Sequence, residues 1–158
     1  MILEVTSEIK LQTIQLSDAQ VIFNTINEQR LYLGRWLPFV EATKKVEDTL
    51  EFIKLVVNQP KENMDFAFTI RKNGTFVGLI HIKSSDIPNK RADVGYWLSK
   101  QYQGQGIVTK SLDRLCTFAF DDIESVFTKN FLEKDQNTNK WKETKTLPIL
   151  NGVSMILE

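Results

Sequence analysis

The sequence predicts a mixed α/β domain: a mostly antiparallel sheet with helices on both faces. Three observations predict it. Apolar residues recur at helical spacing early in the chain, then alternate at period two through a hairpin. A third strand then runs through a glycine-containing loop directly into an amphipathic helix. The repeated strand–helix alternation of a doubly wound fold is missing.

The elements follow in order. Glu8 to Leu16 carries apolar Ile9, Leu11, Ile14 and Leu16, an alternation that slips once and predicts a strand with a bulge. Ser17 precedes Gln20 at capping-box spacing, and Ala19, Ile22, Phe23 and Ile26 predict a helix to about Glu28. Leu31 to Phe39, with Gly34 and Pro38, reads as irregular. Val46, Leu50, Ile53 and Val57 mark a second helix, ended before Pro60. Phe66, Phe68 and Ile70 alternate as a strand, Asn73-Gly74 is a hairpin turn, and Phe76 to Lys83 returns. Ser84 to Asn89 reads as a loop. Arg91 to Ser99 is the next strand, with Val94, Tyr96 and Leu98 on one face and Gly95 and Trp97 on the other. Val108, Leu112, Leu115, Cys116 and Ala119 then line one side of a helix.

Composition bounds the rest. The 158 residues fit one domain, and 42% apolar with 25% charged content is ordinary for a globular chain. Lys plus Arg equals Asp plus Glu at 20 each, so a general nucleic-acid binder, which needs a basic surplus, is not expected. One cysteine excludes an internal disulfide and fits a reducing cytoplasm. Neither a membrane span nor a signal peptide is expected. With one histidine and no cysteine cluster, a metal site is unsupported.

The chemistry concentrates between Gly95 and Thr109. The first turn of a helix leaves N–H groups unpaired and carries positive partial charge. Glycines let backbone approach an anion closely, so a pyrophosphate suits the loop Gln101 to Gly106; a plain strand–helix turn is the alternative. The loop lacks a Gly-Lys-Ser/Thr ending and a G-x-G-x-x-G pattern, which sets aside nucleotide-hydrolysing and dinucleotide folds.

Gln101, Gly104 and Gly106 resemble the Q/R-x-x-G-x-G/A signature of the GNAT acetyltransferases. The resemblance implies a GNAT-type (acyl-CoA N-acyltransferase) fold. It also implies that backbone N–H groups around Gln101, Gln103, Gly104, Gln105, Gly106, Ile107, Val108 and Thr109 hold the pyrophosphate of acetyl-CoA. Trp97-Leu98-Ser99 would pair with the pantetheine arm. Tyr32 to Val40, Asp48 to Ile53, Val77 to Ile80 and Asp93 to Leu98 narrow the likeness to the RimJ/RimL subgroup, which acetylates N-terminal amines of ribosomal proteins and whose relatives take other amines. The likeness covers about residues 8 to 125 and implies acetyl transfer to a primary amine. Arg35 and Trp36 would wall the acceptor site, and a homodimer fits the family habit.

Residues 123–158, though part of the same single domain, depart from the family. Val126 to Leu132 reads as a fifth strand, and Asn137 stands where the family's Asn-x-x-Ser element begins, which by the resemblance makes it a cofactor-binding residue, but Lys140 replaces the Ser. The family's catalytic acid, often that Ser or a Tyr further on, would lie in this region and is assigned to no residue here. Leu150 to Val153 faintly matches its last hairpin. Thr128 to Lys145 is polar and lysine-rich with little periodicity and reads as a solvated face, with a surface for an acidic partner as the alternative. Divergence, shortening and a reading-frame change each account for this tail, and the last two would leave strand edges uncovered.

Single residues carry two readings each. Asp93 is a base for the amine or a solvated carboxylate paired with Arg91 or Lys90. His81 has a proton-transfer pKa but reads first as a surface or satisfied histidine. Trp36 is an acceptor wall, or else a core or lid aromatic, and Cys116 is inert packing. Rival functions on the same fold are a catalytically silent acetyl-CoA-binding module and a partner-binding domain.

Overall fold

The computed structural model describes residues 1–59, 65–86, 91–121, 132–134 and 141–143. Five strands lie side by side in chain order: β1 (Ile2–Glu4), β2 (Ile9–Thr13), β3 (Phe66–Lys72), β4 (Thr75–Asp86) and β5 (Arg91–Leu98). Every pairing among them is antiparallel. Between β2 and β3 the chain forms α1 (Ala19–Glu28), α2 (Arg30–Leu33), α3 (Phe39–Ala42) and α4 (Val46–Val57). Helix α5 (Ile107–Asp121) follows β5, and β6 (Leu132–Lys134) pairs with β7 (Trp141–Glu143) in a separate ribbon.

Alternation along the strands splits the core between two faces. One face joins Leu11, Phe68, Ile80, Ile82 and Leu98 to Ile107, Val108, Leu115 and Phe118 of α5. Phe118 meets Phe66 and Phe68 edge-on, with centroids 5.7 and 5.9 Å apart. The other face packs Ala67, Leu79 and Trp97 against Ile22 and Ile26 of α1, Leu33 of α2, Val40 of α3 and Ile53 of α4. Helices thus cover both faces, and the sides expected for Leu98 and Trp97 are the sides observed.

Several expectations change. Ile2–Glu4 is a strand, tied to β2 through Leu3 opposite Leu11. The bulge is not in β2, whose register with β3 is unbroken; Ile14, still donating its N–H to the Ala67 carbonyl at 3.0 Å, packs on the opposite face from Ile9 and Leu11. It lies in β4, where Val77 is inserted between Phe76 and Gly78. The cap of α1 is not Ser17 with Gln20. A 3-10 turn (Leu16–Asp18) leads in, and buried Asp18 accepts the Gln15 N–H at 2.8 Å while its other oxygen binds Arg71 at 2.7 Å. The stretch read as irregular contains α2, with Arg30 donating to the Val40 and Thr43 carbonyls. In the last turn of α4, Val56 packs inward and Val57 is exposed. β4 continues through Ser84 to Asp86, so the first part of the expected loop is strand, and the rest of that expectation lies outside the described residues. The fifth-strand expectation falls mostly outside the described residues, yet Leu132 opens β6, and the tail holds two short strands.

Asn73 and Gly74 turn the β3–β4 hairpin with φ of 49° and 81°, which both residue types tolerate. Gly78 has a different reason to be glycine. A Cβ there would overlap the Trp97 carbonyl oxygen and stand 3.0 Å from Leu98 Cα. The close approach of β4 and β5 at the mouth of the loop depends on it.

Candidate active site

The bulge and Gly78 fix where β5 ends. Ser99 N–H donates to the Val77 carbonyl at 2.8 Å. Hydrogen-bonding direction alternates along an antiparallel strand, so Leu98, one residue back, turns its N–H and C=O away from β4. Among the described residues β5 is the last strand of its sheet, so these groups lie on an open edge.

Beyond Ser99 a 3-10 turn (Lys100–Tyr102) leads to Gly104 and Gly106, with φ of 68° and 65°. Both angles are strained for any residue with a Cβ. The N–H groups from Gly104 to Thr109 meet no acceptor among the described residues. A Cβ built on Gly104 would touch nothing within 4 Å among the described residues, which leave the space in front of the loop open. Unpaired donors, the positive end of a 15-residue helix and open space make a cradle for an anion such as a pyrophosphate. Lys72 Nζ stands 2.6 Å from Gln105 Oε1 and adds a cation beside it.

The loop is held from the helical side by residues that sequence reasoning missed. Gln29, after α1, donates to Ser99 Oγ, and its Oε1 accepts the Lys100 N–H at 2.9 Å. Tyr32 of α2 accepts from Gln103 Nε2, and Lys100 Nζ lies 5.9 Å from its ring centroid. Burial pushes the Tyr32 phenol above its ordinary value, opposed by the bond from Gln103. These contacts span 70 and 71 residues, and polar residues at such separation leave no periodic signal.

The other expected residues scatter. Trp97, Leu98, Ser99, Ile107 and Val108 are buried; Gln101, Gln105 and Thr109 are exposed. The Gln101 carbonyl accepts from Gln105 Nε2 at 3.3 Å. Arg35 is exposed, and Trp36 is 50% exposed, which removes the core reading of that aromatic. Asp93 is half-buried and sits across from Lys83, on the same face as Gly95 and Trp97. Asn137 lies outside the described residues. Cys116 is buried, its thiol pushed up to about 12 first by burial and then by Asp113, as inert packing requires. Among the described residues no group of three metal-ligating side chains occurs, and no helix is long and apolar enough to cross a membrane.

A sheet clothed by helices on both sides, with a left-handed glycine loop opening the helix after the edge strand, defines an acyl-CoA N-acyltransferase architecture. The chain belongs to the acetyltransferase (GNAT) domain family, whose description matches residues 8–141. It is 27% identical over 124 residues to a Bacillus subtilis protein named "Putative ribosomal N-acetyltransferase YdaF", covering 77% of this chain and 67% of that one. It is 25% identical over 113 residues to the Escherichia coli ribosomal-protein-serine acetyltransferase, covering 72% and 63%. The chain therefore spans about two thirds of the length of these relatives. A solved structure of the ribosomal-protein acetyltransferase RimL in complex with coenzyme A shares the fold, with a TM-score of 0.71, 22% identity, and 75% and 67% coverage.

Proposed function

We propose that this chain transfers the acetyl group of acetyl-CoA to a primary amine, the N-terminus of a protein being the favoured acceptor. The observation that carries the reading is the run of unpaired N–H groups from Gly104 to Thr109 beside the open edge of β5. The cradle takes the pyrophosphate, and the pantetheine arm lies along Trp97-Leu98-Ser99. Its thioester carbonyl accepts the outward N–H of Leu98, which stabilises the oxyanion formed on attack. The amine nitrogen forms the new C–N bond, the C–S bond breaks, and the second proton shed by that nitrogen passes to the departing CoA sulfur to give the free thiol, without a covalent enzyme intermediate. Asp93, on the helix-covered face, takes the ammonium proton through water before attack. The ribosomal-protein names of the relatives support a peptide acceptor, and the lone buried thiol agrees with a cytoplasmic setting.

The test is release of free thiol from acetyl-CoA with two acceptors, a peptide bearing an N-terminal serine and spermidine. Turnover with the peptide alone supports the reading, and turnover with spermidine alone moves the acceptor to small amines. Tight acetyl-CoA binding without any turnover would instead make the chain a silent CoA-binding module. Asp93→Asn is expected to lower kcat by about a hundredfold or more with little change in acetyl-CoA affinity.

A further inference from the structure

Residues directly opposite in an antiparallel sheet share a face. Ala67, His81 and Gly95 form one such row across β3, β4 and β5. The next row, Thr69, Leu79 and Trp97, lies towards the loop, and its Leu79 and Trp97 pack beneath α1 and α4. The row on the other side pairs Lys83 with Asp93. His81 is the one large side chain in its row, flanked by an alanine and a glycine. A Cβ built on Gly95 would meet no atom of the described residues within 4 Å, so among them the space above β5 at that point is open.

Among the described residues, His81 is not the satisfied histidine its sequence position suggests: its Nε2 is buried and meets no hydrogen-bond partner there. Such atoms are rare in folded proteins and call for an explanation. Burial holds the imidazole below its ordinary value; Asp65, just before β3, opposes this and Lys83 adds to it. A neutral imidazole keeps a lone pair for a donor.

We propose that His81 is an acceptor-binding residue, its Nε2 receiving an N–H of the incoming amine above Gly95, one strand in from the edge that presents Leu98. The inference rests on the acetyltransferase reading. It names the group that orients the nucleophile, whereas Asp93, on the diagonal of the same face, only removes the proton.

His81 is the one histidine in the chain, so its imidazole NMR signals need no assignment. The probe is coenzyme A joined through an S–CH2–CO linker to the α-nitrogen of a serine peptide, which places an N–H where the amine would stand. Addition of this conjugate should shift the imidazole 15N signals, and coenzyme A alone should not. By calorimetry, His81→Phe should weaken conjugate binding about tenfold and leave coenzyme A binding unchanged. His81→Gln, with an accepting amide oxygen, should recover part of the loss, and serves alone if the Phe variant fails to fold. A bound conjugate that leaves the imidazole signals unmoved, or that binds the variants as tightly as wild type, overturns the proposal. Failure of folded wild type to bind either ligand overturns the acetyltransferase reading itself.

Discussion

Gly78 and Gly104 are glycine for opposite reasons, and the difference is measurable. Gly78 has no room for a methyl group, because the Trp97 carbonyl and Leu98 Cα occupy its place. Gly78→Ala should destabilise the fold by about 1–3 kcal/mol and, by shifting the end of β5, weaken cofactor binding as well; a thermal melt and calorimetry read the two effects. Gly104 has room but a φ of 68°, so its replacement acts on the loop and leaves the core alone. His81 links stability to pH. Its imidazole sits below 6.5 in the folded chain, so the unfolded chain binds that proton at higher pH. Its contribution is complete above the ordinary value and is lost as pH falls through it towards the lower folded value. The Tm of wild type should therefore drop more than that of His81→Phe between about pH 7 and about pH 5. The Cys116 thiol, pushed up to about 12, should resist iodoacetamide at neutral pH in the folded protein and react once urea unfolds it.

At the scale of elements, α1 depends on a carboxylate that the sequence reading passed over. Ser17 and Gln20 have the capping spacing, but Asp18 is buried, accepts the Gln15 N–H and pairs with Arg71 on β3. Asp18→Ala leaves the Arg71 charge without its partner and should cost about 3 kcal/mol, read from the urea midpoint. The long elements were legible because periodicity is strong: the ends of α1 and α4 and the β3–β4 hairpin turn fall where the apolar spacing and Asn73-Gly74 put them. Short elements were not. Three residues in β1 and four in α2 cannot establish a period, and their stability comes from partners such as Leu11 and the carbonyls bound by Arg30. The same limit hid Gln29 and Tyr32, which brace the loop across 70 and 71 residues. Tyr32→Phe keeps the ring beside Lys100 and removes the acceptor for Gln103, so it should loosen the loop and raise KM for acetyl-CoA several-fold with the fold intact.

On the scale of the whole molecule, the sheet ends at β5 among the described residues, with the Leu98 N–H and C=O turned away from β4 beside the glycine loop. One edge therefore closes the five-stranded core and, in the proposed reaction, offers the Leu98 N–H to the thioester. The helices divide the labour. α5 turns its N-terminal donors to the loop, while α1 and α2 reach the loop from the opposite face through Gln29 and Tyr32. The most direct test of the central claim is calorimetric titration of the full chain with acetyl-CoA, beside Gly104→Asp. That variant adds a strained side chain and a negative charge to the cradle without touching the core. The account predicts saturable binding by wild type, weakened at least about tenfold in a variant with an unchanged melt. A folded wild type that binds no acetyl-CoA, or a variant that binds as tightly as wild type, would contradict it.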